Sequence, residues 1–133
     1  MYQIKKRGFT LIELLIVIVI IGLLASLVAP AMFSKVSSSQ RKTAEAQMQM
    51  LETAIDTYRL DNGDFPDSLD ELRKSDKSTW DGPYLPKALP MDPWGNAYIY
   101  KKPGEGGAPY YMASYGKDGQ PGGEDDNADI VHK

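Results

Sequence analysis

The chain has 133 residues, 25% of them charged, a formal net charge of −3 at pH 7, and no cysteine. Without cysteine there is no disulfide framework, and the acidic balance argues against nucleic acid as a partner. The charge is uneven: Lys5, Lys6 and Arg7 stand together before any acid, leaving 12 basic against 18 acidic residues in the rest. Set apart from its apolar N-terminal run, the chain suffices for one small domain with a modest core, which needs help from a metal, a partner or a long helix.

Residues 1–8, MYQIKKRG, read as a targeting leader rather than part of the fold. The next stretch, GFTLIELLIVIVIIGLLASLVAP, carries no charge from Leu14 to Phe33 and is broken only by Gly22, Ser26 and Pro30. About 20 such residues span about 30 Å of hydrocarbon as a single helix, so residues 9–33 read as a membrane segment. Glu13 inside it is unusual for a plain anchor. Ala29-Pro30-Ala31 fits the cleavage site of an ordinary secretory signal. Against that reading stand Glu13 and a run longer than the about 7–15 residues of a signal peptide's apolar region. Lys35, Arg41 and Lys42 follow the run, so flanking charge alone does not set its orientation.

Beyond Pro30 the pattern turns amphipathic: Ala44, Met48, Leu51, Ile55 and Tyr58 recur at helical spacing along one face, and Arg41, Glu45, Glu52, Asp56 and Arg59 supply most of the charge elsewhere. From Phe9 to Leu60 the sequence predicts one helix of about 50 residues, about 75 Å long, with a kink or opened turn at Pro30. Asp61-Asn62-Gly63 ends it.

Residues 64–97 contain five prolines and predict mostly connection, with one short helix over Ser68–Lys74 capped by Ser68 and Glu71. Trp80, Tyr84, Leu85 and Leu89 are candidates to cover the long helix, and Trp94 is either buried area in a turn or an exposed anchor for a partner. Tyr98–Tyr100 and Tyr110–Ala113 predict a hairpin around PGEGGAP, and Ile130-Val131 a third strand. The result is an α+β domain over residues 34–133, a helix packed on a small antiparallel sheet.

Asp118, Glu124, Asp125, Asp126 and Asp129 crowd into a glycine-rich stretch near the C-terminus. Oxygen ligands on a flexible loop suit a hard cation such as calcium, in a spacing unlike an EF-hand; a solvated acidic tail has the same composition. The chain contains one histidine, His132, and no nucleotide-binding glycine loop, so nothing in it suggests an enzyme.

These residues together resemble the type IV pilin-like proteins with class III signals, and among them the major pseudopilins of type II secretion. GFTLIELLIVIVIIGLLASLVAP carries the general resemblance, and YRLDNGDFP, DPWGNAY and SYGKDGQPGGEDDNADI the narrower one. The resemblance implies cleavage after Gly8 by a prepilin peptidase, N-methylation of Phe9, and a role for Glu13 in pairing with the Phe9 amine of a neighbouring subunit. It implies one calcium ion held by Asp118, Asp125 and Asp126, with Asp129 a further candidate and backbone oxygens near Ser114 assisting. Asn127 departs from an aspartate common in similar proteins. It further implies a homo-oligomeric helical filament in the periplasm, anchored as precursor in the inner membrane and assembled with minor pseudopilins and an inner-membrane platform. A type IV pilin, or an anchored periplasmic domain that never polymerises, is the alternative.

Overall fold

The computed structural model describes residues 8–132. The basic leader, apart from Gly8, lies outside the described residues. One long helix, α1 (Leu11–Asn62), is followed by three short strands, β1 (Ile99–Lys101), β2 (Tyr111–Ser114) and β3 (Ile130–Val131). The chain divides into two compact units, one ending at Val36 and one beginning at Ser37.

In the first unit the helix is apolar on every side and exposed along nearly its whole length; none of its most apolar window is buried by the rest of the chain. A helix that is hydrophobic all round and exposed in this way has the length and composition to cross a bilayer. It starts at Leu11 because Thr10 caps it: the Glu13 N–H donates to Thr10 Oγ1 at 3.1 Å. Thr10-Leu11-Ile12-Glu13 thus has the spacing of a capping box, a local signal that the apolar pattern around it masks. The helix continues through Pro30 without the opened turn expected there. Proline removes one backbone hydrogen bond, and the helix runs on unbroken on either side.

In the second unit Ala44, Met48, Leu51, Ala54, Ile55 and Tyr58 form the buried stripe of α1, as their spacing predicts. Leu69, Leu72, Leu85, Tyr98, Met112 and Ile130 close over that stripe to make the core. Trp80, Tyr84 and Leu89 pack at its margin, half-buried. The helix ends as expected, with Gly63 at φ +80° and its N–H donating to the Arg59 carbonyl at 2.8 Å.

Between helix and sheet the only regular element is a 3-10 turn, Leu69–Leu72, in place of the longer helix predicted over 68–74. Ser68 makes no side-chain cap there. Two carbonyls that would extend the helix are taken from outside: Trp80 Nε1 donates to Glu71 O at 2.6 Å and Tyr84 N to Leu72 O at 2.8 Å. The Glu71 carboxylate instead accepts the Asp67 N–H at 2.8 Å and the Tyr58 hydroxyl at 3.1 Å.

The sheet is antiparallel throughout in the order β1-β2-β3, with Ile99 opposite Ala113, Lys101 opposite Tyr111 and Ser114 opposite Ile130. Strands β1 and β2 each begin one residue later than the aromatic pattern suggests. Tyr98, buried before β1, gives its hydroxyl to Gln47 on α1.

Candidate functional site

The predicted processing site is at the edge of the described chain: Gly8 and Phe9 are both exposed, just before α1 begins. Glu13 is also exposed and lies in the first turn of α1, where the helix dipole favours a negative charge. A carboxylate so placed in an apolar segment has a local reason to be tolerated.

The C-terminal loop, residues 115–129, is built on left-handed backbone. Gly116 (φ +79°) and Gly123 (φ +93°) are the positions that need glycine: an added Cβ would lie 2.9 Å from the carbonyl oxygens of Asp126 and Ala128 at the first, and 2.6 Å from that of Asn127 at the second. Asp125 adopts φ +52°, the one positive value of a non-glycine residue among those described. It opens a 3-10 turn, Asp125–Asn127.

The structure distributes the predicted cation ligands over separate roles. Asp118 is exposed and its Oδ1 accepts the Gln120 N–H at 3.1 Å. The Asp125 side chain is exposed, whereas Asp126 is half-buried and accepts the Ser37 hydroxyl on Oδ1. Asp129 accepts the Gly122 N–H on Oδ2 at 3.0 Å, and its buried Oδ1 has no hydrogen-bond partner among the described residues. Ser114 lies beneath the loop, fully buried, with its hydroxyl on Asp92. Among the described residues no three acidic or histidine side chains lie together as a metal cluster.

The side-chain donors of this loop are oxygens, the kind a hard cation prefers, and the buried Asp129 Oδ1 is an acceptor with no partner among the described residues.

Several contacts to this region are not legible in the sequence. Ser37 and Arg41, one turn apart on α1, reach the loop: Ser37 to Asp126, and Arg41 Nη1 to the Asp125 and Ala128 carbonyls, each at 3.3 Å. Arg41, expected off the apolar stripe, is half-buried. Glu52, also off the apolar stripe, has Oε2 only 2.6 Å from His132 Nε2. The DPWGN turn forms the floor: Asp92 Oδ1 accepts the N–H groups of Trp94 at 3.0 Å and Asn96 at 2.8 Å, and Asn96 Nδ2 donates to Gly116 O at 3.3 Å. Trp94 is half-buried against the core, which favours the structural role over the exposed anchor.

Residues 31–133 match the family model for type II secretion system (T2SS), protein G, and residues 4–29 match the prokaryotic N-terminal methylation motif. The chain belongs to the type II secretion system protein G family. Similar proteins include the type II secretion system core protein G of Escherichia coli K12, 42% identical over 92% of this chain and 89% of the relative. That of Pseudomonas aeruginosa is 39% identical over 95% and 94%. The crystal structure of the major pseudopilin from the type 2 secretion system of enterohaemorrhagic Escherichia coli is similar in fold, with a TM-score of 0.58 at 30% identity over 74% of this chain and 90% of that one. Membership makes the chain a pseudopilin, a structural component of a secretion system rather than a member of a family known for catalysis.

Proposed function

We propose that the chain is the repeating subunit of the pseudopilus, a periplasmic filament that helps drive folded proteins across the outer membrane. The observation that carries this reading is the uncovered apolar helix with Glu13 in its first turn, joined to a folded domain that buries its own core. Such a helix has two stable environments, a bilayer before assembly and a bundle of identical helices after it. The resemblance supplies the rest: insertion in the inner membrane with the C-terminal domain in the periplasm, cleavage after Gly8 by the prepilin peptidase, and methylation of Phe9. Minor pseudopilins and the inner-membrane assembly platform are the further partners. Catalysis has no part in this role.

Glu13 has a specific task in it. Cleavage after Gly8 creates an α-amine on Phe9, and a carboxylate in an apolar bundle costs several kcal/mol unless it meets a cation. Pairing Glu13 of one subunit with Phe9 of the next supplies that cation and sets the axial stagger. In the periplasmic domain the C-terminal loop binds one calcium ion, with Asp118, Asp125, Asp126 and Asp129 and carbonyl oxygens near Ser114 as its ligands. The ion neutralises crowded carboxylates and pins the C-terminal segment, the part a disulfide would play in a cysteine-containing domain.

The test is the intact mass and N-terminal sequence of the protein recovered from its native membrane. A chain that begins at N-methylated Phe9 is expected. A start at Met32, after removal of an ordinary signal peptide, would overturn the filament reading, because Glu13 and the apolar helix would be gone.

A further inference from the structure

The buried stripe of α1 does not stop where its apolar residues stop. Continuing one and two turns toward the N-terminus from Ala44 it passes through Arg41 and Ser37, both half-buried, although polar residues on an isolated helix surface would be exposed. The segment 125–128 covers them: the Ser37 hydroxyl reaches Asp126 Oδ1, and Arg41 spans the carbonyls of Asp125 and Ala128. These contacts join residues 84 to 89 positions apart, so folding alone places them.

We infer that Ser37 and Arg41 are positioning residues for the cation loop, so that calcium binding and the order of α1 over residues 37–44 are coupled. This rests on the calcium reading proposed above. A hydroxyl donating to one oxygen of Asp126 turns the carboxylate and leaves its other oxygen for a ligand, and side chains that orient metal ligands in this way typically tune affinity by about 10- to 100-fold. Arg41 acts on the backbone. Its guanidinium holds both ends of the turn that begins at the left-handed Asp125. Anything that binds the ordered loop more tightly than the disordered one must stabilise the helix turn against which it is ordered, and the reverse holds by the same linkage.

The test uses the full chain in detergent micelles, comparing the parent with Ser37→Ala, Arg41→Ala, Ser37→Thr and Arg41→Lys. Calcium affinity is measured by titration calorimetry, and amide hydrogen exchange is followed over residues 37–44 with calcium and with chelator. Calcium is expected to slow exchange over 37–44 in the parent. The two alanine variants, folded by circular dichroism, are expected to bind calcium about 10-fold more weakly and to lose that slowing, and Ser37→Thr, which keeps the hydroxyl, to restore both. Arg41→Lys keeps the charge without the two-carbonyl span and is expected to recover only part. Parent-like affinity and exchange in both alanine variants would overturn the inference while leaving the calcium reading standing. A parent chain that binds no calcium would overturn that reading itself, and this inference with it.

Discussion

The Ser114 hydroxyl donates to Asp92 Oδ2 across 2.8 Å, and neither side chain is accessible, Ser114 at 0% and Asp92 at 4% exposure. Asp92 uses its other oxygen to hold two N–H groups of the DPWGN turn, so a single carboxylate joins that turn to β2 under the C-terminal loop. Ser114→Ala leaves a buried carboxylate oxygen without its donor, at an expected cost of about 1–3 kcal/mol. Asp92→Ala, which strips three donors of their acceptor, is expected to cost more. Urea unfolding of the two variants checks the order; equal stability of Ser114→Ala and parent would show the link to be dispensable.

The core on α1 predicts a sharp contrast between neighbouring turns. Ile55 is fully buried and Leu60 is 84% exposed. Ile55→Ala is expected to lose about 2–5 kcal/mol, seen as a fall in melting temperature of about 10 °C or more for a domain of this size. Leu60→Ala is expected to stay within about 0.5 kcal/mol of the parent. Thermal unfolding of the pair decides whether burial in the structure is the burial that matters.

Alkaline pH probes the aromatic side of the core. Burial raises the hydroxyls of Tyr98 and Tyr100 well above the ordinary tyrosine value and pushes Tyr110 up to about 12. The unfolded chain ionises these groups near pH ~10, whereas the folded chain keeps its protons. Stability from all three is therefore complete below about pH 10 and is lost as pH rises toward the folded values, at about 1 kcal/mol per pH unit or more. Melting temperature measured from about pH 8 to about pH 11 is expected to fall steeply in the upper half of the range, and less so in Tyr100→Phe.

Glu13→Ala separates anchoring from assembly. The substitution makes the segment more apolar and leaves the Thr10 hydroxyl cap, so membrane insertion and cleavage after Gly8 are expected to continue. Filaments, which the parent yields on sedimentation of gently lysed cells, are expected to be absent. Normal filaments from Glu13→Ala would remove the inter-subunit ion pair from the account.

On the proposed calcium reading, removal of the ion is expected to lower the melting temperature of the folded domain, because a ligand bound only to the folded loop stabilises it by mass action. Asp125→Ala and Asp126→Ala are each expected to shrink the difference between calcium and chelator. A melting temperature that does not move in excess chelator would refute the loop's proposed role.

How much of this is legible in the sequence depends on range. The buried stripe Ala44, Met48, Leu51, Ile55 and Tyr58 is readable because helical periodicity is local, and so is the apolar stretch long enough to cross a bilayer. The three strands are found to within a residue because their aromatic and β-branched runs are short and bounded by Gly and Pro. The helix over 68–74 is over-read, since its propensity is local but its carbonyls go to Trp80 and Tyr84, which the fold brings in.

By itself, then, the sequence determined what periodicity, composition and motif can carry: a membrane helix with one acid in it, an amphipathic continuation, a small sheet and an oxygen-rich loop. Only the tertiary structure decided that Ser37 and Arg41 hold that loop, that Glu52 meets His132, and that Asp92 meets Ser114. Each of these pairs a polar side chain with a group 22 to 89 residues away. A polar residue on a helix looks the same in sequence whether water or a distant loop receives its hydrogen bonds, and the choice between them is made by packing.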